Sequence, residues 1–334
     1  MQKIRVYLNH RASNSSDFWR EKISSALFRS EVVFRSPENL RQLKLFLEED
    51  IALSPQSIIS VGGDGTVNTL IQDLAYTGIG LLVIPGGTAN DLANELGNLR
   101  NVKRVIHCIR SKEYYNIDLI KINNRYMATN GGIGLGSRVA EKINLIRTEH
   151  PYFKFLMKMT GKRIYSLFLG RELLSMRDRP THFLIESLEF SKIVNAPIVL
   201  INNQAILAGT FNIAPETNNA DGKFNVTIFC HPNKKLLVQS ILGVMKGKVP
   251  KDDPYFISFE TDHVYIENLS KEKNVQFFGD GEIIEEGQSY DIRIAKEALK
   301  VYSHKRACLT VEENYDVEGT LNFDEINDSN SEIL

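Results

Sequence analysis

The chain has 334 residues and a net charge of −1, and 43% of its residues are hydrophobic, which is enough for a packed core and most naturally for two domains. No signal-peptide core and no apolar run near the roughly 18 residues needed to span a bilayer occurs, so a secreted or membrane-spanning class is not expected. The three cysteines are far apart, which argues against a disulfide framework or a zinc site and favours a cytoplasmic location.

The first part of the chain alternates strand-like and helical patterns. "KIRVYLN" (3–9) predicts a strand, and the apolar spacing that follows predicts a helix with Ser15 or Ser16 as its N-cap. "VVFRS" (32–36) predicts a second strand, after which Ser36 is expected as the N-cap and Pro37 as the first residue of a second helix. Repeated β-α units of this kind predict a parallel sheet covered by helices.

Two glycine-rich loops follow the third and fourth predicted strands. "SVGGDGTVN" (60–68) and "VIPGGTANDLA" (83–93) each join a strand to a helix, where parallel sheets bind their ligands. Each loop has two adjacent glycines and a threonine, Thr66 or Thr88, near the helix start, so backbone amides and the helix dipole face one anion. A single loop of this type is more often a plain turn, but two in succession predict a polyphosphate site.

Asp64 lies among the glycines of the first loop, although neither loop contains a lysine and the chain has no P-loop motif. A carboxylate beside phosphate repels it unless Mg²⁺ lies between them, because magnesium takes carboxylates together with substrate phosphates. Alternatively, Asp64 accepts the proton of an attacking hydroxyl group, which suits phosphoryl transfer. A purely structural alternative is that Asp64 caps the helix that follows it.

Beyond about residue 121 the pattern changes to short strand candidates separated by turn signals. These candidates are "RYMATN" (125–130), "APIVLIN" (196–202), "FNVTIF" (224–229), "HVYIEN" (263–268), "NVQFFG" (274–279), "YDIRIA" (290–295) and "ALKVYS" (298–303). We therefore predict an α/β domain at 1–121 and a mostly antiparallel β domain at 122–306. The second domain contains one helical insert at 137–177, and an acidic tail follows at 307–334.

The insert and the tail carry opposite charges. The tail has eight acidic residues and no basic one, so the rest of the chain has a net charge of +7, and the tail is expected to be flexible. Residues 138–177 contain nine Lys or Arg against three Glu, interleaved with large apolar side chains. This composition suits a surface that docks on anionic lipid headgroups, although an ordinary amphipathic helix is an equal alternative. No nucleic-acid-binding motif accompanies the charge, so nucleic acid is not an expected partner.

Several motifs occur in an order that resembles one known family. "GGDGTVN" (62–68) followed by "PGGTANDLA" (85–93) resembles the ATP-binding signature of the diacylglycerol kinase catalytic family, which also includes sphingosine and ceramide kinases. Further matches are "NIDLIKI" (116–122), "NGGIGLGSRVA" (130–140), "NNADGKFNV" (218–226) and "FFGDGEII" (277–284). The resemblance covers residues 3 to 303. It implies an N-terminal domain similar to that of phosphofructokinases, which holds ATP, and a C-terminal β-sandwich domain, with the active site between them.

The resemblance also implies roles for particular residues. Glu282 is implied as the proton acceptor, with Asp280 beside it and Asp64 opposite. A magnesium site distant from the chemistry is implied at Asp221, with Asn218 and the Lys223 carbonyl. The residues implied in ATP binding are Asn9, Ser36, Gly62, Gly63, Asp64, Gly65, Thr66, Val67, Asn68, Gly87 and Thr88. One departure from the family is that "LNHRASNSS" (8–16) keeps Asn9 but lacks the Pro and Gly of the usual turn after the first strand.

The expected function is therefore an ATP- and Mg²⁺-dependent kinase that phosphorylates a hydroxyl of a diacylglycerol-like lipid, with transient peripheral contact to a membrane. The sequence leaves the oligomeric state open, with a homodimer among the alternatives. Three alternatives are a sphingoid-base kinase, an enzyme like NAD kinase, which shares the "GGDG" loop, and a nucleotide-binding, membrane-associated module whose chemistry has lapsed. The second glycine loop and the basic insert favour lipid over NAD. A nicotinamide dehydrogenase is disfavoured because "GGIGLGS" has Ser137 where G-x-G-x-x-G needs its last glycine.

Overall fold

The structure is a computed structural model that describes residues 2–9, 16–86, 91–98, 102–149, 168, 171, 181–207, 211–245, 248, 253–270 and 274–303. The helices are α1 (Ser16–Ala26), α2 (Leu40–Ala52), α3 (Asp64–Leu74), α4 (Asp91–Glu95), α5 (Val102–Arg110), α6 (Leu135–Glu149) and α7 (Lys234–Met245). The first nine strands are β1 (Lys3–Leu8), β2 (Glu31–Arg35), β3 (Ser57–Gly62), β4 (Gly80–Pro85), β5 (Tyr114–Ile122), β6 (Arg125–Met127), β7 (Asn130–Gly134), β8 (His182–Glu186) and β9 (Ser191–Asn195). The others are β10 (Ile198–Asn202), β11 (Ile206–Leu207), β12 (Phe211–Asn212), β13 (Phe224–Phe229), β14 (Phe256–Thr261), β15 (His263–Asn268), β16 (Val275–Gly279), β17 (Glu282–Gly287) and β18 (Ser289–Tyr302).

The first domain is a parallel sheet covered by helices on both faces, as its alternating pattern predicted. Strands β1 to β4 pair in parallel in the order β2-β1-β3-β4. Apolar side chains on one face pack against α2 and α3, where Leu47 and Leu70 are fully buried. Those on the other face pack against α1 and α5, where Trp19 and Ile109 are buried. The carboxyl ends of β3 and β4, which are buried along their whole length, lead into the two glycine loops.

The start of α2 corrects one prediction from the sequence. Ser36 and Pro37 were expected to begin this helix, but it begins at Leu40 with Asn39 as its N-cap. The Asn39 side chain accepts a hydrogen bond from the backbone N–H of Gln42 at 2.9 Å. Both Ser and Asn are good capping residues, so composition alone does not choose between them. The Ser36 hydroxyl instead accepts a hydrogen bond from Arg20 of α1 at 2.7 Å.

The second domain is an antiparallel β-sandwich. Its first sheet has six strands in the order β14-β13-β10-β7-β16-β17. The facing layer includes β5, β15, β8 and the first part of β18, and the core between the layers includes the buried side chains of Phe183, Phe277 and Ile292. Helices α6 and α7 pack on the outer face of the six-stranded sheet. Helix α7 was not predicted from the sequence, and most of the predicted insert beyond α6 lies outside the described residues.

Strand β18 joins the two domains. Near its start, Tyr290 pairs with Ile266 of β15 in the sandwich, and near its end, Val301 pairs with Leu81 of β4 in the parallel sheet. The sequence predicted two strands at 290–295 and 298–303, which was wrong. They form one strand that is interrupted by an irregularity between residues 295 and 299, where Glu297 has a φ of 50°. The two domains therefore share one ten-stranded sheet.

Within the described ranges, none of the helices combines the length and the apolar character that crossing a lipid bilayer requires.

Candidate active site

The first glycine loop is a tight connection from β3 to α3. Gly62 ends the strand and Gly63 is the N-cap of the helix, where it provides no side-chain cap. Thr66 accepts a hydrogen bond from the Asn9 side chain at 2.9 Å, which ties the end of β1 to the loop. The backbone N–H of Gly86 donates to the Gly62 carbonyl at 2.7 Å, which ties the second loop to the first. Three strand ends thus meet at one helix N-terminus, a favourable position for an anion.

Asp64 is the first residue of α3, and its carboxylate bridges the two glycine loops. Its Oδ1 accepts the backbone N–H of Asp91, the first residue of α4, at 3.1 Å. The cap of α3 itself is Gly63. The described hydrogen bond therefore serves the second loop and not the helix that Asp64 begins. Gly87 and Thr88, also predicted to bind ATP, lie outside the described residues.

The tip of the hairpin between β16 and β17 faces the first glycine loop. Asp280 and Gly281 form this tip with φ values of 51° and 79°, the left-handed conformation of a type I′ turn. Glu282 follows as the first residue of β17, and its carboxylate packs against Gly65. A Cβ placed on Gly65 would lie 3.2 Å from Cδ of Glu282 and closer still to Oε1. The absence of a side chain at Gly65 therefore lets a carboxylate of the second domain reach the first.

Asp280 is held by donors from both domains. Its carboxylate accepts hydrogen bonds from the backbone N–H of Thr129 at 2.8 Å and from the Thr129 hydroxyl at 2.7 Å. The N–H of Ala128 and the side chain of Asn68 donate to its other oxygen at 3.1 and 2.9 Å. The side chain is buried, and these contacts join α3 to the loop between β6 and β7. Its catalytic role stays a prediction, while the contacts give it a clear structural one.

A cleft lies between the two domains at this point. Its lining residues come from α3, from α4 and from the second domain: Asp64, Val67, Asn68, Leu92, Ala128, Thr129 and Asp280. Val67 is buried in the core of the first domain, and its side chain forms part of the apolar floor. The cleft is therefore lined by two carboxylates together with apolar and uncharged polar residues. Among the predicted ATP-binding residues, Ser36 contacts Arg20, and Asn68 directs its side chain to Asp280.

The three residues predicted to hold magnesium lie in an exposed turn before β13. Oδ1 of Asn218 accepts the N–H of Ala220 at 3.1 Å, and Oδ1 of Asp221 accepts the N–H of Lys223 at 3.0 Å. Buried Asp118 anchors the turn by accepting the N–H of Gly222 at 2.7 Å. In the part of the chain that the structure describes, no group of three or more His, Cys, Asp or Glu side chains could hold a metal ion. The proposed ligand set here has a single carboxylate, so this site stays a prediction.

Sequence reasoning missed several hydrogen bonds at the contact between the two domains. The donors at Ala128 and Thr129 are partly backbone groups, which leave no sequence signal. Gln72 was also missed, although it lies one helical turn after Asn68. Its side chain donates to the Tyr126 carbonyl at 2.8 Å and accepts the Tyr126 N–H at 2.9 Å. Amide side chains at i and i+4 on one helix face, Asn68 and Gln72, were the available sign that this face meets another segment.

Comparisons with known proteins agree with this architecture. The sequence model of the diacylglycerol kinase catalytic domain matches residues 3–122, and that of the YegS C-terminal NAD kinase beta sandwich-like domain matches residues 133–303, more than half of the chain. Diacylglycerol kinases from two Mycobacterium tuberculosis strains, CDC 1551 / Oshkosh and H37Rv, are each 25% identical over 241 residues, which is 70% of this chain and 74% of the relative.

A crystal structure of a diacylglycerol kinase from Bacillus anthracis str. Sterne has the same fold. It superposes with a TM-score of 0.70 at 19% identity and covers 92% of this chain and 98% of that chain. The motifs, the two-domain architecture and the matched models agree along nearly the whole described length. The chain therefore belongs to the lipid kinase family that joins a diacylglycerol kinase catalytic domain to a YegS-type C-terminal β-sandwich.

Proposed function

We propose that the protein transfers the γ-phosphoryl group of ATP to a hydroxyl of a diacylglycerol-like lipid, with Glu282 as the proton acceptor. The observation that carries this proposal is the position of the Glu282 carboxylate against Gly65 of the first glycine loop. A carboxylate at that place is next to the helix N-terminus where a polyphosphate would bind. It can therefore accept the proton of a hydroxyl group that attacks the terminal phosphate.

The residues present fit a nucleotide with a divalent cation. The loop offers the first turn of α3 behind a glycine cap, and such a turn binds phosphate oxygens through its N–H groups. Asp64 and Glu282 place two carboxylates around Gly65, and neither glycine loop supplies a lysine. Bound Mg²⁺ would supply the positive charge that lets these carboxylates and a polyphosphate share the cleft. The carboxylate of Asp64, adjacent to the loop amides, is the side chain best placed to hold it.

The chain's own contribution to the reaction is positioning and proton transfer. The hydrogen bonds of Asp280 fix the hairpin tip to both domains, so that Glu282 keeps its place without reorganisation. A positioned general base contributes about 10²- to 10⁴-fold to a reaction rate. The apolar part of the cleft, which includes Val67 and Leu92, limits water near the attacking hydroxyl.

Radiolabelled transfer tests the proposal. The protein is incubated with γ-labelled ATP and Mg²⁺, and with dioleoylglycerol, sphingosine or NAD⁺ as the acceptor. We expect label in phosphatidate and little label in the other two products, and we expect it to disappear when EDTA is added. Label only in sphingosine phosphate or only in NADP⁺ would replace diacylglycerol by that acceptor. ATP binding without transfer to any of the three acceptors would overturn the proposal.

We also propose that the protein meets its lipid at an anionic membrane surface. The support comes from the described part of α6, where Arg138, Lys142 and Leu145 recur at helical spacing and are exposed. Basic residues beside apolar ones attract anionic headgroups, with about 1 kcal/mol for each basic residue near the surface. Sedimentation with vesicles checks this: binding to phosphatidylglycerol vesicles is expected, and binding to phosphatidylcholine vesicles is not. Equal binding to both compositions would show that attraction to anionic headgroups does not drive the binding to membranes.

A further inference from the structure

The first two turns of α3 present two features to the hairpin tip of the second domain. Gly65 makes room for the Glu282 carboxylate, and Asn68, three residues later on the same helix face, donates to the Asp280 carboxylate at 2.9 Å. Asp280 and Glu282 are separated only by Gly281, the second residue of the left-handed turn. A hydrogen bond to the first carboxylate therefore restricts where the second one lies.

The hydrogen bond from Asn68 links this tip to the nucleotide-binding domain, in addition to the packing of Glu282 against Gly65. The other described donors to Asp280 belong to Ala128 and Thr129 of the second domain. Without Asn68, the turn would stay attached to its own domain but would lose this direct connection to α3. Both partners are buried, with 5% of Asn68 and 7% of Asp280 exposed. Bulk water would therefore not readily replace Asn68 as a hydrogen-bond donor to Asp280.

We propose that Asn68 is a positioning residue for phosphoryl transfer, which holds the Asp280 turn so that Glu282 stays over Gly65, and that its side chain is not a nucleotide contact. This inference rests on the proposed function, because it takes Glu282 as the proton acceptor. It assigns to Asn68 a role different from the ATP contact that the sequence motif implied. The role is indirect, since the Asn68 side chain acts through Asp280.

Gln72 provides a matched control on the same helix. It lies one turn after Asn68 and also crosses to the second domain, where it forms two hydrogen bonds with the Tyr126 backbone. Its partner is an edge strand and not the catalytic hairpin. A change that merely loosens the contact between α3 and the second domain should therefore affect Asn68 and Gln72 variants alike.

Steady-state kinetics separate the two roles. For Asn68→Ala we expect kcat to fall about 10- to 100-fold, the range in which small misplacements of a reacting group act. We expect KM for ATP to stay within about threefold, because uniform binding of the nucleotide is not removed. For Gln72→Ala we expect both constants to stay near wild type. An increase in KM for ATP with unchanged kcat in Asn68→Ala would identify Asn68 as a nucleotide contact and overturn the proposal.

Asn68→Asp adds a pH-dependent readout. This variant has the same shape but places a second carboxylate opposite Asp280, and two such groups repel each other when both are ionised. At lower pH the pair shares a proton and the hydrogen bond can form again. The ratio of wild-type to Asn68→Asp kcat should therefore shrink as the pH falls from 8 to 6. A ratio independent of pH would contradict a role through the Asp280 carboxylate.

Hydrogen exchange tests the geometry without turnover. In Asn68→Ala, the amides of residues 277–284 should exchange faster than in wild type, whereas in Gln72→Ala the increase should be confined to residues 125–128. This result does not depend on any acceptor, so it still decides the role of Asn68 if the labelling experiment finds no phosphorylated lipid. Unchanged exchange at 277–284 in Asn68→Ala would show that the bond does not hold the turn and would overturn the proposal.

Discussion

Gly65 is a residue at which the second domain packs against the first glycine loop. It lies inside α3, outside the left-handed region of the backbone, so the reason for glycine at this position is space. The space is filled by the carboxylate end of Glu282, which is the far end of a flexible side chain. An added methyl group would therefore move Glu282 and leave the backbone where it is.

Gly65→Ala should therefore separate catalysis from folding. We expect kcat to fall about 10- to 100-fold because the proposed proton acceptor is displaced. Alanine is a better helix former than glycine, so the melting temperature should stay within about 2 °C of wild type or rise. Steady-state assays and thermal unfolding check the two parts.

A second substitution gives the control for this prediction. Glu282→Asp shortens the side chain by one methylene group, so it should lower kcat in the wild-type background but recover part of it in the Gly65→Ala background. If Gly65→Ala abolishes ATP binding in equilibrium dialysis, the added methyl group blocks the nucleotide and the explanation through Glu282 is wrong.

At the scale of elements, a buried ion pair network attaches α2 to the edge of the parallel sheet. Asp50 of α2 is fully buried and accepts hydrogen bonds from Arg5 Nε at 3.1 Å, from Tyr7 at 2.8 Å and from Arg35 at 2.9 Å. Burial, together with the hydrogen bond to Asp50, raises the pKa of Tyr7 well above its usual range. The network lies within one domain and has no described contact with the cleft, so its effect belongs to stability.

Tyr7→Phe should lower stability and change its dependence on pH. Loss of a hydrogen bond to a charged group costs about 1.5–3 kcal/mol of unfolding free energy. Tyr7 keeps its proton in the folded state, so its contribution is complete below about pH 10 and is lost as the pH rises through the higher folded pKa. Urea unfolding at pH 8 and pH 10.5 should therefore give a smaller difference between wild type and Tyr7→Phe at the higher pH.

Part of the pH dependence of the wild-type unfolding free energy will remain in Tyr7→Phe. Burial also raises the pKa of Tyr290, to about 12, and that of Tyr302. The test is therefore the difference in unfolding free energy between wild type and Tyr7→Phe at each pH, and not the pH dependence of either protein alone. A difference that grows with pH would contradict the assignment to Tyr7, and kinase activity at pH 8 should be unchanged.

The elements were predictable where local pattern decides them. β13 occurs at residues 224–229, where the sequence predicted a strand, and all six of its residues are buried. The start of α2 was wrong because Ser36 and Asn39 are equally good caps, and a contact from Arg20 occupies Ser36. The sequence did not predict that β18 is one continuous strand, because its irregularity resembles a turn between two strands. In the structure, pairing with β5 continues on both sides of the irregularity.

The motifs of the candidate site could be recognised in the sequence, but the contacts between their residues could not be predicted from it. The motifs predicted that the two glycine loops and Glu282 belong to one site, yet the reason why Glu282 lies beside the first loop, the missing side chain at Gly65, depends on how the domains pack. The bond from Asn68 to Asp280 joins residues 212 positions apart, and nothing local marks it. Backbone donors such as Thr129 N–H leave no trace in the sequence at all.

In the molecule as a whole, the ten-stranded sheet connects the two domains, because it contains strands of both. Strand β18 pairs with the sandwich at one end and with the parallel sheet at the other, and β5 follows it along most of its length. Hydrogen bonds from Asn68 and Gln72 to the second domain add to this connection. We therefore expect cooperative unfolding and not two separate transitions.

A core substitution in the second domain tests this expectation. The single tryptophan, Trp19, is buried in the first domain, so its fluorescence reports unfolding there. Phe183 is 1% exposed in the core of the sandwich, and Phe183→Ala should cost about 3–5 kcal/mol. The Trp19 transition in urea should shift to lower concentration together with the far-ultraviolet circular dichroism. A Trp19 transition that does not move would show that the first domain unfolds independently.

The proposed role of Glu282 is to accept the proton of a lipid hydroxyl beside the first glycine loop. Single-turnover transfer from γ-labelled ATP to dioleoylglycerol tests it most directly, with Glu282→Gln compared with Glu286→Gln, an exposed change on the same strand. Because Glu282→Gln removes the proton acceptor, we expect transfer to slow about 10²- to 10⁴-fold. ATP binding should be unchanged, and Glu286→Gln should behave like wild type. Transfer by Glu282→Gln at the wild-type rate would show that Glu282 is not the proton acceptor.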